Sequence, residues 1–142
     1  MQYYVIYDGD CNLCSNLVQL LEKLDQGKLF QYMTMQDHIG LEQFNITPAD
    51  CEQGMILIKA DQPEARWQGS NAAEEIAKLL PTGEIFIRAY RGLPMAKKMG
   101  DRLYEFIRDN RYQLFGRRKI TYQSAYPCTS GKCLIPHSTD SK

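Results

Sequence analysis

Residues 5–24, VIYDGDCNLCSNLVQLLEKL, constrain the fold more than any other stretch of this 142-residue chain. The β-branched and aromatic run in residues 2–7, QYYVIY, stops at the turn signal DGD. From Asn12 onward, Leu13, Leu17, Leu20, Leu21 and Leu24 recur at helical spacing until DQGK ends the pattern. A strand that turns directly into an amphipathic helix requires a sheet face for that helix to cover. Cys11 and Cys14 sit at the turn, with Asp8 and Asp10 just before. Three readings are open for such a pair: a redox couple, a metal clip, or two buried thiols that happen to be close.

The rest of the chain supports a layered α/β domain. LFQYM (29–33), MILIK (55–59) and EARWQ (64–68) read as strands, the last two as a hairpin around ADQP. MQDHIGLEQF reads as a short helix, followed by the loop NITPADCEQG. GSNAAEEIAKLLP reads as a helix with Ser70 or Asn71 as its N-cap, glutamates in its first turns and Pro81 beyond its end. The order β-α-β-α-β-β-α suits a central sheet with helices on both faces. Residues 84–118 then read as helical, with breaks at RGLP and near DNRY, and residues 119–142 as an irregular, cysteine-containing tail.

Charge divides the chain unevenly. Residues 1–87 carry 5 Lys/Arg against 13 Asp/Glu, whereas residues 88–119 carry 10 against 3. Met95, Met99, Leu103, Phe106 and Ile107 share one helical face of this basic arm, with Lys97, Lys98, Arg102 and Arg108 elsewhere. The expected role is an amphipathic helix docked on the sheet. Contact with an anionic membrane surface is the less favoured reading, and aromatics are too sparsely interleaved with charge to favour nucleic acid. The N-terminus lacks the basic and apolar regions of a secretory signal, and no run approaches the ~20 apolar residues of a membrane span. A cytoplasmic, reducing environment is therefore expected, where a close cysteine pair is more often catalytic or metal-binding than a staple.

A C-x-x-C at the start of a helix has a specific physical use. Positions i and i+3 share a face, so the sulfurs can approach bonding distance. Unpaired N–H groups and the helix dipole favour thiolate at the first cysteine. Exchange needs an exposed attacking sulfur and a second one to resolve the mixed disulfide. Cys11, at a turn where burial is least expected, fits the first role, and Cys14 the second. Asp8 would raise the Cys11 pKa or relay a proton to Cys14. Asp10 reads as an N-cap or as solvated.

YDGDCNLC resembles the D-G-x-C-x-x-C signature of the DCC family of thiol-disulfide oxidoreductases, a thioredoxin-like group. GSNAAEEIAKLL and NRYQLFG (110–116) resemble two further blocks of that family, so the likeness covers about residues 3–118. It implies a thioredoxin-like mixed sheet flanked by helices, with extra C-terminal helices, in one domain over 1–118. It also implies Cys11 and Cys14 as the redox-active pair and Asp8 as the accompanying acid. No bound cofactor is implied; the partners would be a protein or small-molecule disulfide and a thiol reductant. Two departures from ordinary thioredoxins stand out. Asn12-Leu13 separates the cysteines instead of Gly-Pro, and Gly54-Met55 stands where a cis-proline would precede the third strand.

The remaining candidates carry less. Cys128 and Cys133, with His137, could complete a zinc site with Cys11 and Cys14, but the spacing is loose and the surrounding chain rich in Gly, Ser and Thr. A second exchanging pair, or no role beyond a tail contact, is the preferred reading, with no metal. Cys51 has no partner by spacing, although it precedes the strand expected to face the site. His38 reads as solvated and Trp67 as packing.

Overall fold

The computed structural model describes residues 2–81 and 83–127. Cys128, Cys133 and His137 lie outside them. Four strands form one sheet: β1 (Tyr3–Tyr7), β2 (Phe30–Thr34), β3 (Ile56–Lys59) and β4 (Gln62–Gln68), in the order β2-β1-β3-β4. β1 runs parallel to β2 and antiparallel to β3, and β3 is antiparallel to β4. The sheet is thus mixed, with helices on both faces, in a thioredoxin-like arrangement. β4 is longer than expected because Ala60-Asp61 alone makes the turn and Lys59 pairs with Gln62. Pro63 is tolerated there because β4 is an edge strand, where a missing N–H leaves no ladder bond open.

Alternation along β1 assigns the two faces. Tyr3, Val5 and Tyr7 pack with Val18 and Leu21 of α1 (Asn12–Asp25) and Ala72 and Ile76 of α4 (Ser70–Leu79). Tyr4 and Ile6 face the other way, toward Leu41 of α2 (His38–Glu42), Phe44, Ile46 and Cys51. Cys51 closes α3 (Pro48–Cys51), a single turn in a stretch expected to be loop. Its capping box between Thr47 and Asp50, with Pro48 at the first helical position, satisfies the N–H groups that would otherwise disfavour so short a helix.

α5 (Gly83–Gly92), α6 (Ala96–Asp109) and α7 (Arg111–Phe115) follow. The docking of α6 differs from expectation. Its apolar stripe is not buried on the sheet: Met99, Leu103 and Phe106 are 66%, 60% and 59% exposed. The opposite, largely polar flank is the docked one. Lys97 bridges Glu74 of α4 at 2.8 Å and donates to Asn71 at 2.7 Å. The Ser70 hydroxyl donates to Asp101. Ser70 and Asn71 are thereby spent on α6 rather than capping α4, whose N-cap is Gly69 without a side-chain bond. Glu74 and Glu75 lie in the second turn of α4, and buried Glu74 also pairs with Arg91 at 2.9 Å.

Residues 119–127 form no helix, and they pack closely on the body. Tyr122 and Tyr126 join the core on the α1 face, and the Tyr32 N–H donates to the Tyr126 carbonyl at 3.0 Å. Tyr122, Ser124 and the Ala125 N–H all donate to the Glu22 carboxylate.

Candidate active site

Cys11 is the N-cap of α1. Its backbone is extended and its sulfur accepts the Cys14 N–H at 3.3 Å, so the cap expected of Asp10 is made by sulfur. Asp10 instead accepts from the Thr121 hydroxyl. Cys11 and Cys14 are both free thiols, three residues apart on the first turn. The Cys14 thiol donates to the Cys11 sulfur, and this lowers the Cys11 pKa to about 7. Burial opposes that shift; the Cys14 N–H and the Arg111 guanidinium add to it, and Asp8 opposes it. Holding the shared proton, together with burial, drives the Cys14 pKa strongly upward.

Exposure is the reverse of expectation. Cys11 is fully buried, whereas Cys14 is half-buried. The chain after α7 covers the first turn of α1. Arg117 forms a bridge with Cys11, Gly116 O accepts the Asn12 N–H at 3.3 Å, and the Arg118 N–H donates to Asp10 O at 2.7 Å. No local pattern signals this cover, because it comes from more than a hundred residues away.

Asp8 is buried at the end of β1 and engaged by four donors. The Asp10 N–H (2.9 Å) and Gln36 Nε2 (3.0 Å) donate to Oδ1; Arg111 Nη2 (3.2 Å) and the Tyr112 hydroxyl donate to Oδ2. Burial alone would raise its pKa, but the Tyr112, Gln36 and Asp10 bonds and the Arg111 charge together lower it below the usual carboxylate value. A carboxylate so held is ionised at neutral pH and poorly suited to relay a proton. Arg111, Tyr112 and Gln36 were not singled out from the sequence. Two of them lie in NRYQLFG, the block whose family likeness was the available signal.

A cleft of about 260 Å³ opens between α1 and α6 over the ends of β1 and β3. Cys14, Asp8, Arg111, Tyr104 and Cys51 line it. Cys51 therefore stands in the same cleft as Cys14, buried and with its thiol pKa raised to about 11, chiefly by burial. His38 is exposed on α2, and Trp67 packs beside Tyr3 with ring centres 6.4 Å apart. Among the described residues no cluster of three or more His, Cys, Asp or Glu is arranged to hold a metal ion, and no helix is long and apolar enough to cross a membrane.

Comparison with known proteins gives two matches. A family model described as DCC1-like thiol-disulfide oxidoreductase matches residues 5–117. The uncharacterized protein YuxK of Bacillus subtilis (strain 168) is 28% identical over 116 residues, covering 80% of this chain and 81% of its own. No solved structure matches.

Proposed function

Because the chain belongs to the DCC1-like thiol-disulfide oxidoreductase family, we propose that it exchanges disulfides through the Cys11–Cys14 pair. The observation that carries this reading is the placement of the pair: two free thiols on the first turn of α1, with Cys11 Sγ at the helix N-cap accepting the Cys14 N–H at 3.3 Å, a setting that lowers the Cys11 pKa to about 7. The Cys11 thiolate attacks one sulfur of a substrate disulfide and releases the other half as thiolate. Cys14 then gives up its proton and attacks the mixed disulfide. The second half leaves as thiol, and an intramolecular Cys11–Cys14 bond remains. Two electrons have passed to the substrate, and an external dithiol returns them. Asp8, ionised throughout, holds Arg111, Tyr112 and the turn in place and tunes both thiols.

One observation favours the opposite order of attack. Cys14 lines the cleft, whereas Cys11 is fully buried beneath residues 116–118. Single-serine variants separate the two orders. In the first order, Cys14→Ser accumulates a mixed disulfide at Cys11 and Cys11→Ser does not react; in the second, the trapped species is on Cys14. Mass spectrometry after reaction with a model disulfide locates the adduct. Absence of any adduct and of any turnover would overturn the exchange reading.

A further inference from the structure

The main chain beside the cysteines is closed to an incoming peptide. Gly54 and Met55 precede β3 and border the cleft. A disulfide-bearing chain lying there would pair with their N–H and C=O groups, as an added strand does. All are already engaged. The Met55 N–H donates to the Tyr104 hydroxyl at 3.1 Å, and Met55 O accepts from the Gly69 N–H at 2.9 Å. Gly54 O accepts from Gln68 Nε2 at 3.2 Å, and the Gly54 N–H donates to Cys51 O at 3.2 Å. Tyr104 packs so tightly that a Cβ on Gly54 would fall 2.9 Å from its hydroxyl. α6 is thus a roof over the start of β3, pinned by the Lys97–Glu74 and Ser70–Asp101 contacts.

What remains accessible beside Cys14 is mostly apolar. Leu13 and Leu17 of α1, Ile107 of α6, Met35, Met55 and Ala73 line it, with Asp8, Arg108 and Arg111 as its charged residues. A cavity of about 150 Å³ is enough to hold benzene. The roughly 260 Å³ here, partly open to solvent, suits one six-membered ring with a short linker.

We propose that this cleft selects disulfides bearing a compact apolar group within a few bonds of sulfur and reads no main chain. This rests on the exchange reading above. The group could belong to a low-molecular-weight disulfide or to an aromatic side chain beside a protein cysteine, and the test distinguishes these sources.

Full-length protein is assayed with dithiothreitol as reductant, each rate being divided by that of dithiothreitol alone to remove leaving-group effects. The mixed disulfide of 2-phenylethanethiol and 2-mercaptoethanol is compared with bis(2-hydroxyethyl) disulfide. Burial of the ring should raise kcat/KM about tenfold or more, and Leu17→Gln, at a half-exposed rim position, should reduce that ratio. Peptide disulfides with Phe or Ser beside the cysteine, with and without N-methylation of the flanking amides, identify the source. A Phe preference insensitive to methylation points to protein substrates; refusal of all the peptides points to small disulfides. Equal rates for the two small disulfides, or a tenfold loss on N-methylation, would overturn the proposal.

Recognition is read separately from chemistry in the Cys11→Ser/Cys14→Ser protein. Methyl 2-phenylethyl sulfide, which cannot exchange, should shift the Met35 and Met55 methyl NMR signals and leave those of exposed Met95 and Met99 in place. Those shifts without disulfide turnover in the unsubstituted protein would sink the exchange reading and leave the cleft standing. Turnover without them would do the opposite.

Discussion

Replacing Cys14 by alanine removes the largest influence on the Cys11 thiol, the hydrogen bond between the two sulfurs. With a pKa of about 7, half of Cys11 is thiolate at pH 7. At the ordinary value of ~8.5 only ~3% would be, about a 15-fold drop. A more basic thiolate is also more nucleophilic. With a Brønsted slope of ~0.45, a rise of ~1.5 units returns about fivefold. Cys14→Ala should therefore alkylate at Cys11 about threefold more slowly than the unsubstituted protein at pH 7 and about fivefold faster at pH 10. The two profiles cross, whereas a change in access would displace the whole profile in one direction. Cys14→Ser keeps an O–H donor, so its Cys11 pKa should stay near the unsubstituted value. The Cys11 Cβ chemical shift, followed against pH, gives the pKa independently of reagent access. Equal Cys11 pKa values in the alanine and serine variants would refute the sulfur–sulfur bond as the cause.

Arg111→Met should destabilise the fold by about 2–4 kcal/mol, below the usual cost of breaking a buried pair because three other donors remain on Asp8. The Asp8 pKa is depressed in the folded state, so this difference is present above ~pH 4, is lost as pH falls through the folded value, and is read by urea unfolding at pH 7 and pH 3. A chain ending at Arg118 should lose about 1–3 kcal/mol relative to one ending at Pro127, because Tyr122, Ser124 and Tyr126 no longer cover the α1 face and the Tyr7 hydroxyl loses the Tyr122 carbonyl, 2.7 Å away; equal urea midpoints would refute that packing.

The strand–turn–helix around the cysteines was legible because every signal in it is local. QYYVIY alternates, DGD breaks the strand, and the leucines recur at helical spacing. The same locality explains what was missed. An apolar stripe on α6 is visible in the pattern, but which flank docks depends on Glu74, Ser70 and Asn71, twenty or more residues earlier. Those polar partners outweighed the stripe. Leu17, Leu20 and Leu24 show the same limit: helical spacing identified α1, yet its buried positions are Ser15, Val18, Leu21 and Asp25. Burial of Cys11 depends on pairing with Arg117 across the length of the domain, and no local pattern carries that. The TPAD capping box of α3 was legible in principle, since Thr and Asp three apart with Pro between them mark a helix start.

Asp8 raises an apparent contradiction, because a carboxylate close to two thiols opposes the thiolate that exchange requires. The geometry resolves it. Asp8 and Arg111 are partners at 3.2 Å, and on both sulfurs their effects have opposite signs. Seen from the cysteines they are nearly one neutral unit, whose field falls off faster than that of either charge. What remains to distinguish the two sulfurs is local: the proton they share, their unequal burial and the Cys14 N–H on Cys11. Loss of Cys14 should therefore move the Cys11 pKa further than loss of the whole Asp8–Arg111 pair. It follows that the pair serves first to join β1 to α7. Arg111 and Tyr112, from the far end of the domain, are anchored on the acid that precedes the cysteines, so the surroundings of Cys11 and Cys14 draw on both ends of the domain.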